Sequence, residues 1–74
     1  MYVYTLEVDP QNGKDNFISD VYPYSPASRL RITQEVEAYE EEGCKAMVYL
    51  DELKPEGRKT IRKVYPIMEP TYEW

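Results

Sequence analysis

Hydrophobic and polar residues alternate over the first nine positions. In MYVYTLEVD, Tyr2, Tyr4, Leu6 and Val8 share one face and Thr5, Glu7 and Asp9 the other. That period of two marks a half-buried strand. PQNGKD follows, and Asn12-Gly13 is a hairpin signal because both residues tolerate positive φ. NFISDVY reads as the returning strand, with either Phe17 and Val21 or Ile18 and Tyr22 inward. Pro23 ends it, since proline has no N–H to give to a ladder. Alternation returns in CKAMVYLDEL, where Cys44, Ala46, Val48 and Leu50 oppose Lys45, Met47, Tyr49 and Asp51. KPEG supplies a turn, and RKTIRKVYP is the partner strand, stopped by Pro66.

The stretch between the two hairpins, SPASRLRITQEVEAYEEEG, carries two competing periods. Ile32, Val36 and Tyr39 follow helical spacing. Ser25 suits the N-cap, Pro26 the first helical position and Gly43 the C′ position. Against this, Leu30, Ile32, Val36 and Ala38 also share one face of an alternating pattern, and Leu30 lies nearly opposite Ile32 and Val36 on a helical wheel. Glu40, Glu41 and Glu42 are poor strand formers, which favours the helix, although they oppose its macrodipole.

The expected fold is therefore α+β in the order ββαββ, an antiparallel sheet with one helix on one face. Ile32, Val36 and Tyr39 form the helix's apolar side. Leu6, Val8, Phe17, Val48, Leu50, Ile61 and Val64 supply the rest of the core. The alternative is an all-β five-stranded barrel in which residues 29–39 are a strand. Residues 1–66 form a single domain, and 67–74, IMEPTYEW, have no period and read as an extended tail rich in aromatics and proline. An edge strand and this tail are candidates for homodimer contacts.

Composition narrows the chemistry. The chain has 74 residues, one cysteine and no histidine. A domain of this size buries only about 60% of its unfolded surface, and Cys44 has no partner for an internal disulfide, which fits a reducing compartment. Without histidine there is no Cys–His nucleophile pair. Gly13, Gly43 and Gly57 sit at turns and caps rather than in a phosphate loop. The acidic residues lack the spacing of a calcium loop. The expectation is no enzyme, no metal and no cofactor. No apolar run approaches a membrane span of about 20 residues, so the expected location is cytoplasmic, with no membrane partner.

Charge supplies the functional candidates. Fourteen acidic and nine basic residues give a net charge of −5, which disfavours phosphate partners. Glu35, Glu37, Glu40, Glu41 and Glu42 form an acidic block. Lys54, Arg58, Lys59, Arg62 and Lys63 form a basic one. Glu37, Tyr39, Glu40, Glu41 and Glu42 are the candidate partner-binding residues, carboxylates spaced to imitate nucleic-acid phosphates with Tyr39 as an aromatic anchor. In size, acidity and tyrosine content the chain resembles small inhibitors encoded by phages, anti-CRISPR and other anti-defence proteins among them. That resemblance implies a non-enzymatic, DNA-mimicking inhibitor whose acidic surface occupies a basic nucleic-acid-binding partner. The alternatives are a small nucleic-acid binder using Arg58, Lys59, Arg62 and Lys63 on the hairpin, and a self-associating structural subunit. Val-Tyr-Pro also occurs twice, at 21–23 and 64–66. It reads as strand-ending punctuation, or as an aromatic–proline docking surface if Tyr22, Tyr24, Tyr65 and Pro66 meet.

Overall fold

A computed structural model describes residues 1–66; the expected tail, 67–74, lies outside the described residues. The elements run β1 (Tyr2–Asp9), β2 (Phe17–Pro23), α1 (Pro26–Glu41), β3 (Lys45–Lys54) and β4 (Gly57–Tyr65). This is the expected ββαββ order. The strands form an antiparallel sheet in the order β2-β1-β3-β4. The sheet is open, so the barrel alternative is not realised.

Residues 29–39 are helical because both ends are built for it. Ser25 is extended, with φ −155° and ψ 158°, and its Oγ accepts from Ser28 N at 3.3 Å. Pro26 follows, where its missing N–H costs nothing. At the other end Cys44 N donates to Tyr39 O and Gly43 N to Glu40 O, both at 3.1 Å. Gly43 takes φ 88°, the left-handed residue of a Schellman stop. The helix buries only a narrow stripe, Ser28, Ile32 and Val36, and Leu30 on the far side is 63% exposed.

The core lies between α1 and one sheet face. Tyr4, Leu6 and Val8 from β1, Ala46, Val48 and Leu50 from β3, and Val64 meet Ile32 and Val36, with Tyr22, Tyr39, Cys44 and Tyr65 at the margin. Two expected core residues do not belong to it. Phe17 and Ile61 are 45% and 46% exposed, because both lie on edge strands. In β4, register shifts beside Tyr49 and beside Asp51 leave Ile61 and Val64 without direct partners, and only Val64 turns inward. Tyr2, at the start of β1, is also exposed, with its ring edge-on to Tyr24.

A bulge reorganises β2. The register shifts between Leu6 and Glu7, leaving Ser19 as the extra residue. Phe17, Asp20 and Tyr22 therefore pair with helix-facing residues of β1, whereas Ile18, Val21 and Pro23 pair with residues of the opposite face. Neither simple alternation expected for this strand holds, because one inserted residue flips the face of everything beyond it.

The first hairpin is not the two-residue turn that Asn12-Gly13 suggests. Residues 10–16 form a longer loop, with Gln11 at φ 60° and Gly13 at φ 85°. Asp9 and Asn12 side chains each accept a backbone N–H two residues on. The second hairpin turns tightly through Pro55-Glu56, with Lys54 opposite Gly57.

Candidate functional site

The acidic block occupies the last turns of α1. Tyr24 N bonds Tyr2 O and Leu53 N bonds Met1 O, so the helix starts at the sheet end that also carries the β3–β4 hairpin tip. The helix finishes at the other end, where Asp9 pairs with Lys45 and Val48 with Tyr65. Glu40–Glu42 and the cations Lys54, Arg58 and Lys59 are thus at opposite ends of the molecule.

The five predicted partner-binding residues do not behave alike. Glu37, Glu41 and Glu42 are exposed, and among the described residues none of them has an ion-pair partner. No basic side chain lies in the last helical turn. Glu40 is exposed but engaged, accepting from Tyr65 Oη at 2.6 Å. Tyr39 is half-buried; its hydroxyl lies 2.8 Å from Ser19 Oγ and its ring packs edge-on to Phe17. It therefore secures α1 to β2 rather than standing free as an anchor.

The basic residues are divided. Pairing puts Arg58 and Lys63 on the sheet face opposite α1 and Lys59 and Arg62 on the helix face. All four are exposed. Arg58 Nε also lies 3.3 Å from Asp51 Oδ2. The four cations thus form two pairs on opposite faces, not one groove.

The Val-Tyr-Pro copies end β2 and β4, the two edges of the sheet, so Tyr22 and Tyr65 do not meet. They share a different task that the sequence did not disclose. Tyr22 Oη donates to Glu35 Oε2, and Tyr65 Oη donates to Glu40. Each hydroxyl is pushed up to about 12, chiefly because its proton is held by the carboxylate. Burial, followed by a hydrogen bond shared with Asp20, raises Glu35 above the usual carboxylate range. Burial also raises Tyr49, with Glu7 and Asp51 adding to the effect.

A polar pair lies on the sheet face opposite α1. Thr5 Oγ1 donates to Asp51 Oδ2 at 2.6 Å, and both residues are almost completely buried. Asp51 Oδ1 has no hydrogen-bond partner. A shallow cleft of about 180 Å³ is lined by Tyr4, Tyr24, Ser25, Pro26 and Arg29. Cys44 is half-buried against the core. Among the described residues no cluster of three or more acidic, histidine or cysteine side chains has metal-binding geometry, and no helix is long and apolar enough to cross a membrane.

No known protein family, curated protein or solved structure matches this chain.

Proposed function

We propose that the protein is a non-enzymatic binding module whose acidic helix end docks on a basic, nucleic-acid-handling protein and blocks its substrate surface. The observation that carries this reading is the set of exposed carboxylates, Glu37, Glu41 and Glu42, without cationic partners on a well-capped helix. Carboxylates in a last helical turn each oppose the macrodipole by about 0.3–1 kcal/mol. A basic partner would convert that cost into attraction and would speed encounter through long-range steering. Arg58, Lys59, Arg62 and Lys63 are split between two faces, which weighs against the hairpin as a nucleic-acid groove.

The test is capture from nuclease-treated lysate with the native chain and with a Glu37→Lys/Glu41→Lys/Glu42→Lys variant. The reading expects a nucleic-acid-binding protein that is retained by the native chain, lost with the variant, and competed off by its own DNA or RNA. Equal retention by both chains, or capture that disappears with nuclease, refutes it.

A further inference from the structure

The two edges of the sheet are unlike. β4 carries Arg58, Lys59, Arg62 and Lys63 along an edge broken by two register shifts, the charged and irregular form that discourages strand addition. β2 carries no Lys or Arg. Among the described residues it has a strand neighbour on one side only. Phe17, Ile18 and Val21 on β2, with Tyr24 just beyond it, are 43–53% exposed. β2 has a bulge of its own at Ser19, but an uncovered edge that exposes apolar side chains and carries no cation can still template another strand.

We propose that β2 is a self-association edge, pairing antiparallel with β2 of a second copy about a two-fold axis normal to the sheet. The choice of a second copy rests on self-complementarity. With Ile18 opposite the partner copy's Val21, Phe17 falls opposite Tyr22. The bulge at Ser19 makes both pairings match in face: Ile18 and Val21 lie opposite α1, while Phe17 and Tyr22 lie on the helix side. Asp20 then falls opposite Ser19. A slip by one residue either sets Asp20 against its own copy, a like-charge pair, or sets Ile18 against Asp20 across the two faces. The bulge thus selects one register. The joined sheets would carry both helices on one side. An interface made largely of one strand from each copy is at the small end of specific interfaces, so association should be concentration-dependent.

The experiment is sedimentation velocity of the full chain over about a hundredfold concentration range, where mass action displays a weak dimer. The sedimenting mass should rise from 8.8 kDa towards twice that value. Val21→Lys, at an exposed position that should leave far-UV dichroism unchanged, should abolish the rise, and Ile61→Lys on the other edge should not. In a Cys44→Ser background, oxidising a mixture of Ile18→Cys and Val21→Cys chains should crosslink unlike chains, since disulfides need Cα atoms within about 7 Å. Ile18→Cys alone should stay largely uncrosslinked. A chain that remains monomeric throughout overturns the proposal and leaves the edge to a strand from another protein. So does association that survives Val21→Lys, or crosslinking as efficient with Ile18→Cys alone.

Discussion

Tyr22 and Tyr65, the central residues of the two Val-Tyr-Pro copies, stand on opposite edges of the sheet and hold the same helix from its two sides. Tyr22 donates to Glu35 and Tyr65 to Glu40. Because α1 buries only Ser28, Ile32 and Val36, these bonds add to the packing of Ile32, Val36 and Tyr39 in fixing its position over the strands.

Both tyrosines are raised in the folded state, to about 12 from 10. A raised tyrosine contributes stability that is fully present below pH 10 and is lost as pH rises through the folded value. Denaturant midpoints should therefore hold up to about pH 10 and fall between about pH 10 and 12. Tyr22→Phe/Tyr65→Phe should flatten that fall. At pH 7, Tyr22→Phe should cost about 1–2 kcal/mol and Tyr65→Phe, whose bond to the exposed Glu40 lies at the surface, less.

Glu35 has the opposite balance. Burial and Asp20 raise it despite the bond from Tyr22, so its ionised form is disfavoured in the fold. A carboxyl raised on folding favours the folded state most below its unfolded value, and that contribution fades as pH rises through the raised one. Glu35→Gln keeps an acceptor for Tyr22 and removes the charge. It should leave stability at pH 7 unchanged or higher, whereas Glu35→Ala should lower it by about 1 kcal/mol or more, as read by chemical denaturation.

Thr5→Val should cost about 1–3 kcal/mol, because it strips a hydrogen bond from a buried carboxylate and leaves Arg58 as the partner of that oxygen. Asp51→Ala should cost a similar amount. The double variant should lose less than the sum, since the two residues share one bond. A urea double-mutant cycle measures this, and strict additivity would contradict the coupling.

Leu6 has no exposed surface, while Phe17 keeps 45%. Leu6→Ala should cost about 2–5 kcal/mol, and Phe17→Ala about 1 kcal/mol, although phenylalanine is the larger side chain. Equal losses would mean that β2 is covered in solution.

Glu41→Lys and Glu42→Lys should raise the melting temperature, since a cation in the last turn complements the helix dipole by about 0.3–1 kcal/mol each. If the acidic end is a docking surface, the same changes weaken capture of the basic partner. Stability and binding should thus move in opposite directions, which separates a functional loss from unfolding.

The sequence alone favoured the element order, marked the helix ends and showed the inward residues of the two central strands apart from the exposed Tyr2. Only the structure removed the barrel alternative. The helix ends and inward residues are local properties. Ser25, Pro26 and Gly43 act within a turn of where they stand, and Leu6, Val8, Val48 and Leu50 follow a strict alternation between neighbours on both sides. Tertiary structure decided everything at the edges. An edge strand is held from one side, so a bulge can enter at Ser19 and at two places in β4, and each insertion resets which face the next side chain takes. Ile61 left the core for that reason, whereas Phe17 faces the helix side but lies at the uncovered sheet edge. The tyrosine–glutamate bonds and the Thr5–Asp51 pair join residues 13 to 46 positions apart. No local period encodes such a separation, so these contacts exist only once the strands and helix have been brought together. The repeated Val-Tyr-Pro was their one visible trace, and it pointed to strand ends rather than to the helix between them.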